Sequence, residues 1–283
     1  MKKTQRLQML LIYAVMILIS AVVLFPLLYT LLASFKSNME LMTDPGSIIP
    51  KNPTFENYVT ALKSPDFNVP RLLWNSIYYT LINVLVITAT SSMAGYVFAR
   101  GNFPFKRTIF VCFSSLLFIK TGMLGIYATF KVLNVVNLTQ SLWALIVYHI
   151  FSVPVVDIFL VKGYVQSLPI AMDEAAKIDG CSFFKTFIYI IAPLLKPIIA
   201  TIAILSFKAS WNEYLMPTIF TLTQPSQRTL MVGLMALKNS GEAATSWNLM
   251  LTGSVIALIP VLIAYSFGNK YFIKGLSAGA VKG

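Results

Sequence analysis

Charge is scarce in this chain. Of its 283 residues only 11% are Asp, Glu, Lys or Arg, and 57% are hydrophobic, whereas a water-soluble domain carries about 25% charged and 45–50% apolar residues. The shortage excludes an ordinary soluble globule and predicts a protein solvated by lipid. Histidine occurs once, at His149, and cysteine twice, at Cys112 and Cys181. A single His builds neither a metal site nor a triad, and two distant Cys build no disulfide framework. Cys112 sits in an apolar run and reads as a small buried thiol. The ten acidic residues are scattered, so no carboxylate pair is set up for acid–base chemistry. No G-x-x-x-x-G-K-[ST] phosphate loop occurs either. These absences predict a chain that is not an enzyme and has no metal or cofactor of its own.

What is abundant is apolar sequence in long runs. A bilayer core of about 30 Å takes ~20 apolar residues as helix. Six segments qualify, at roughly 9–33, 74–98, 108–130, 141–165, 190–220 and 248–272. The expected fold is an all-α integral membrane protein: a short N-terminus at 1–8, six transmembrane helices over 9–272, and a tail at 273–283. The first run exceeds the ~7–15 residues of a signal-peptide core and no A-x-A site follows it, so it reads as an uncleaved first helix.

The net charge of +12 fits the same plan. Basic residues crowd the N-terminus (Lys2, Lys3, Arg6) and the turn after the second run (Arg100, Lys106, Arg107). They also flank the connection between the fourth and fifth runs (Lys162, Lys177, Lys185, Lys196) and recur in the tail (Lys270, Lys274, Lys282). In the long loop from Ser34 to Arg71, Glu40, Asp44, Glu56 and Asp66 cancel Lys36, Lys51, Lys63 and Arg71. Excess positive charge on alternate loops marks the cytoplasmic side, which predicts both termini inside. It is not the clustered, accessible basic face that nucleic acid requires, and nucleic acid is not an expected partner. The loop at about 222–247 is polar at both ends with an apolar middle. It is either an ordinary half-buried loop or one that dips toward a partner or pore.

One break differs from the others. The stretch "SLPIAMDEAAKIDG" (167–180) reads as a short helix. Pro169 suits a first turn, where its missing N–H costs nothing. Asp173 and Glu174 favour the positive end of the helix dipole, Ala175 and Ala176 are strong helix formers, and Gly180 can end the helix in a left-handed cap. Such a helix either links two spans or offers carboxylates and a small-residue patch to another protein.

The residues "EAAKIDG" (174–180), with "IAPLLKP" (191–197) following, resemble the EAA signature of the membrane subunits of ABC importers. Glu174, Ala175, Ala176, Gly180 and Pro193 fit position by position, and Asp179 completes the "IDG" common in carbohydrate members. "PTFENY" (53–58), "WNSIYYTL" (74–81), "AGYVFARGNFPFKR" (94–107), "WNEYLMP" (211–217), "TLMVGL" (229–234) and "KYFIKGLSAGAVKG" (270–283) resemble the maltose-type permease branch over nearly the whole chain. Relatives usually carry prolines in and just after the third span; "LLFIKTGMLGIYATF" (116–130) has none and offers Gly122 and Gly125 instead.

The resemblance implies that Asp173, Glu174, Ala175, Ala176, Asp179 and Gly180, within an EAA loop at 166–190, seat in a cytoplasmic ATPase subunit. It implies that the tail residues Ser277, Ala278, Gly279 and Ala280 reach between two such subunits. The implied assembly is a heterodimeric pore shared with a second, homologous permease subunit in the bacterial cell membrane. It carries two ATPase subunits, which hold the ATP, and an extracytoplasmic sugar-binding protein. The implied cargo is a sugar of the di- or oligosaccharide class, the alternative being a non-sugar solute such as a polyamine or amino acid. Ionisable groups inside spans are costly and therefore worth attention. Lys208 has Trp211 and Asn212 at i+3 and i+4, on one helical face, with Glu213 pointing elsewhere. These four either line the pore and contact sugar or knit helices together. His149, Asp157 and Lys120 are weaker cases.

Overall fold

The computed structural model describes residues 3–64, 67–119, 122–239 and 247–280, and the side chains among them apart from 3, 4, 7, 238, 239 and 269–280. Every regular element among these residues is helical. In chain order they are α1 (Lys3–Ala33), α2 (Asn38–Thr43), α3 (Glu56–Lys63), α4 (Val69–Arg100), α5 (Lys106–Ser115), α6 (Gly122–Val135), α7 (Leu142–Phe151) and α8 (Val155–Ser167). Next come α9 (Ala171–Ile178), α10 (Phe183–Thr186), a π turn (Phe187–Ile191), α11 (Ala192–Leu194), α12 (Lys196–Asn212), α13 (Leu215–Phe220), α14 (Leu230–Asn239) and α15 (Trp247–Ala280).

Three helices are long and apolar enough to cross a bilayer: Gln8–Ala33, Val69–Arg100 and Trp247–Gly268. Two bent pairs of helices are long and apolar enough only when each pair is taken together. Helices α7 and α8 meet at 42°, and Phe183–Leu194 meets α12 at 78°. By length and composition the described residues therefore offer three unbroken crossings, or up to five if each bent pair is one, and Gly122–Val135 is a further, shorter apolar helix. Proline accounts for both bends. Pro154 precedes α8, and Pro193 and Pro197 lack the N–H groups that would bond the carbonyls of Tyr189 and Pro193; the helix widens into the π turn just before Pro193. The run expected at 108–130 is broken where α5 ends at Ser115 and α6 starts at Gly122. Gly122 has φ of +51°, a left-handed conformation through which an α-helix does not continue. Cys112 is exposed on α5, contrary to its expected burial, because it lies on an apolar face of α5 that no described residue covers.

The chain divides into two compact units, residues 1–71 with 233–259, and residues 72–232 with 260–283. In the first, α1 is apolar all round and none of its most apolar window is buried, as suits a helix solvated by lipid or a partner helix. The unit is fastened at the end of α1 by the PTFENY motif. Asn57, 4% exposed, donates through Nδ2 to the carbonyls of Ser34 and Lys36, both at 2.8 Å, and its Oδ1 accepts from Asn248 Nδ2 at 2.8 Å. Tyr58 adds a 2.7 Å contact between its hydroxyl and Ser34 Oγ. The buried Lys36 ammonium donates to Ser47 Oγ at 2.7 Å and to the Ser47 carbonyl. Asn57→Ala strips partners from two carbonyls and an amide. At ~1–3 kcal/mol for a buried polar group left unsatisfied, it should lower the melting temperature by several degrees in a tryptophan-fluorescence melt, while exposed Glu56→Ala should not. Equal melts for the two variants would remove Asn57 as the fastening.

In the second unit, one core gathers Tyr96, Val161, Val165, Phe187, Ile191, Leu195, Ile198 and Ile202. It packs α8, the π turn and α12 onto the last turns of α4. A second core joins Tyr79, Leu133, Leu142, Leu145, Ile146 and Phe220. Helices α4 and α8 come close at Gly95, where a Cβ would lie 2.5 Å from Val161 Cβ. Only a residue without a side chain fits.

In the tail the backbone continues α15 as far as Ala280. The letters "GLSAG" (275–279) match a nucleophile elbow, but that elbow is a strand-to-helix turn, and here the letters lie inside one helix.

Candidate functional site

The Glu-Ala-Ala stretch forms α9, eight residues long. Pro169 lies one turn ahead of it, its carbonyl accepting the Met172 N–H at 3.3 Å. The helix ends in a Schellman cap. Gly180 stands at φ of +75°, the Gly180 N–H reaches the Lys177 carbonyl at 3.1 Å, and the Cys181 N–H reaches the Ala176 carbonyl at 2.9 Å. Both ends of this short helix are therefore closed by backbone bonds, which a helix of two turns needs to persist.

The inward face of α9 is Asp173 and Ala176. Ala176 is 2% exposed. Asp173 is clamped to the end of α4: its Oδ1 accepts from the Tyr96 hydroxyl at 3.2 Å, and its Oδ2 lies 3.0 Å from Arg100 Nε. The Arg100–Asp173 contact is too bent to be a hydrogen bond, so it acts as an ion pair, with side chains 12% and 16% exposed. Arg100 Nη2 also donates to the Leu168 carbonyl at 2.6 Å, holding the strand of chain that leads into α9. Tyr96 is itself sandwiched, with ring centroids 4.5 Å from Phe183 and 5.2 Å from Phe187. A cleft of about 400 Å³ lies beside this clamp, lined by Tyr96, Arg100, Asp173, Glu174, Lys177 and Phe183 among others. Tyr96 and Arg100 were not singled out in the sequence. Their i, i+4 spacing at the end of an apolar run was the available signal.

The outward face of α9 carries Glu174, Ala175, Ile178 and Asp179, all exposed, with Ile178 at 87%. Ile170 before the helix and Phe184 after it are exposed as well. The structure thus splits the sequence-derived set: Asp173 and Ala176 hold the helix down, Gly180 ends it, and Glu174, Ala175 and Asp179 face out. Of the tail set Ser277, Ala278, Gly279 and Ala280, the backbone is helical and the side chains lie outside the described residues.

The four residues in and after α12 do not converge. Lys208 and Asn212 are exposed, and Asn212 Nδ2 folds back onto the Lys208 carbonyl at 2.8 Å. Trp211 faces the opposite way, 3% exposed and stacked on Phe207 at 5.6 Å. Three residues on one face was the expectation. The helix ends at Asn212, whose side-chain amide turns back onto its own last turn instead of reaching outward with Trp211. Glu213, past the helix end, joins a polar group inside the unit: its Oε2 accepts from the Tyr79 hydroxyl at 2.7 Å and lies 3.9 Å from His149 Nε2. Nearby on α4, Asn83 is fully buried with neither amide atom in hydrogen-bond geometry. Asp157 lies half-buried in the first turn of α8, and Lys120 is outside the described residues. Among the described residues no group of three His, Cys, Asp or Glu is arranged to hold a metal.

With this geometry in hand, comparison with known proteins is specific. Residues 1–277 match the family described as "Binding-protein-dependent transport system inner membrane component". The galactooligosaccharides transport system permease protein GanQ of Bacillus subtilis is 30% identical over the whole of this chain and 99% of its own length. The trehalose/maltose transport system permease protein MalG of Thermococcus litoralis is 32% identical over 94% of each. In three dimensions the chain superposes, with a TM-score of 0.82 at 20% identity, on a chain of a bacterial ABC transporter involved in the import of the acidic polysaccharide alginate, covering 96% of this chain and 99% of that one. With its apolar helices and its clamped, outward-facing Glu-Ala-Ala helix, the chain belongs to the family of inner membrane components of binding-protein-dependent transport systems.

Proposed function

We propose that this chain is the permease subunit of an ATP-driven importer of sugars, of the di- or oligosaccharide class, and that α9 is its point of attachment to a cytoplasmic ATPase. The observation that carries this reading is the two-sidedness of α9. Its inner face is held by an ion pair and an aromatic sandwich, while its outer face leaves Glu174 and Ile178 uncovered at the end of a rigid lever. A large apolar side chain left 87% exposed on a short polar helix marks a surface that a partner covers. The names of the relatives support sugar as cargo.

In this reading the chain adopts six crossings with both termini in the cytoplasm and pairs with a second, homologous permease subunit. It binds no ATP itself; two ATPase subunits do, with the tail from Ser277 to Ala280 reaching toward them. An extracytoplasmic sugar-binding protein delivers the cargo. Movement of the ATPases pulls α9, and because α9 is fastened to α4, the pull reaches the membrane helices as a rigid displacement. The pore then alternates between outward- and inward-facing states.

The test is uptake of a panel of labelled oligosaccharides by cells lacking the chain, rescued by wild type or by Glu174→Lys. Loss of a partner for a desolvated interfacial charge costs ~2–5 kcal/mol. Glu174→Lys should therefore reduce uptake at least about tenfold with normal amounts of protein in the membrane. Full uptake by the variant would remove Glu174 from the interface. A panel in which no sugar depends on the chain, with a polyamine or amino acid doing so, would move the assignment to the non-sugar alternative.

A further inference from the structure

A second cavity, of about 450 Å³, opens between the end of α4, the start of α5 and the side of α8. Its polar wall is Lys106, Arg107 and Lys162; its apolar wall is Phe98, Phe110 and Val111. No acidic residue lines it, and among the described residues none of the three cations pairs with a carboxylate. Lys106 and Lys162 are close enough to repel one another. The Lys162 ammonium, half-buried, sits 3.6 Å above the Phe110 ring, a contact that partly offsets desolvation but leaves its charge unneutralised. Lys106 Nζ donates to the Gly101 carbonyl at 2.7 Å and to the Ala99 carbonyl at 3.5 Å, which leaves one N–H group for a ligand. The two cations meet because Phe105 takes a left-handed conformation, φ 58°, and turns α5 back across the end of α4.

The other half of the cavity is unlike an ion site. Phe98 is 7% exposed and packs on Phe110 with centroids 5.3 Å apart; Phe110 stacks on Phe159 of α8 at 6.3 Å. Val111 is 58% exposed and extends the apolar wall along α5. The cavity lies at the same end of α4 as Arg100 and the α9 clamp, the level at which the apolar helix Val69–Arg100 ends. Three unneutralised cations beside an aromatic and aliphatic wall at that level match one chemistry, an anion covalently joined to a hydrocarbon chain.

We propose that this cavity binds one anionic phospholipid. Lys106, Arg107 and Lys162 hold its phosphate, and Phe98, Phe110 and Val111 take the first carbons of an acyl chain. The inference rests only on the chain being embedded in a membrane and is independent of its cargo.

Native mass spectrometry of the full chain in detergent, with phosphatidylglycerol or phosphatidylcholine added, tests it. Wild type should retain phosphatidylglycerol in preference to phosphatidylcholine. Lys162→Gln and Arg107→Gln should each reduce that preference about fivefold. Lys162→Arg should keep it, and Lys185→Gln, an exposed cation outside the cavity, should leave it unchanged. Arg107 is exposed, so its variant reports even if Lys162→Gln folds poorly. A preference that survives Arg107→Gln and Lys162→Gln overturns the site. Displacement of the lipid by millimolar inorganic phosphate, with loss of the preference, reassigns the pocket to a free anion and overturns the lipid.

Discussion

Arg100→Glu should abolish transport while the chain still inserts and folds. The substitution puts a carboxylate in place of the guanidinium whose Nε lies 3.0 Å from Asp173 Oδ2, removes the donor to the Leu168 carbonyl, and leaves Asp173 with the Tyr96 hydroxyl alone. Breaking a largely buried pair costs roughly 3–5 kcal/mol; with side chains still 12% and 16% exposed, solvent screening brings the expectation to about 2–3 kcal/mol. That is enough to let α9 rock against α4 but not enough to unfold the unit. The measurable signature is uncoupling: ATP hydrolysis by the assembled importer persists while sugar uptake falls at least about tenfold. The reversed pair Arg100→Glu with Asp173→Arg should recover part of the uptake, because the ion pair is restored while the bonds to Leu168 and Tyr96 are not. If the double variant does no better than Arg100→Glu, the pair is not what transmits the motion.

Gly95→Val is the second large effect. The new Cβ would meet Val161 Cβ at 2.5 Å and the Lys162 backbone nitrogen at 3.1 Å, so α4 and α8 must separate. Overpacking of this kind costs ~1–3 kcal/mol, occasionally more. The separation also travels: Arg100 lies five residues beyond Gly95 on α4, and Leu168 lies seven residues beyond Val161. Melting temperature and uptake should fall together, as they should for Arg100→Glu; the two variants are distinguished by what rescues them, a reversed charge at Asp173 there and a smaller residue at position 161 here. Pairing Gly95→Val with Val161→Gly exchanges the two side chains across the contact and should recover part of the melt. A Gly95→Val protein that melts with wild type would show that the helices approach less closely than described here.

The α9 region illustrates how far local signals reach. Acidic residues in the first turn, the Ala pair and Gly180 are all within one helix, and the helix stops where Gly180 adopts φ of +75°. Which of its residues face in was not legible. Asp173 and Glu174 are adjacent and chemically alike, yet Asp173 meets Arg100, 73 residues away, and Glu174 is exposed. The polar group around Glu213 was opaque for the same reason: its partner Tyr79 is 134 residues distant, and nothing in the spacing near Glu213 announces it. The apolar runs at 108–130 and 190–220 were readable as hydrophobic but not as bent, because hydropathy reports solvent preference and says nothing about backbone continuity. The left-handed Gly122 and the donor-less Pro193 and Pro197 decide that.

From its sequence alone the chain was determined to be helical, lipid-solvated and a relative of importer permeases, since each of these follows from composition, from runs of about twenty residues or from a contiguous motif. Only the tertiary structure decided what α9 is fastened to, where three unpaired cations gather, and which side chains of the proposed pore set are buried. Those outcomes depend on residues far apart in the chain meeting at ångström distances, and long-range pairing leaves no periodic trace in either partner's local sequence.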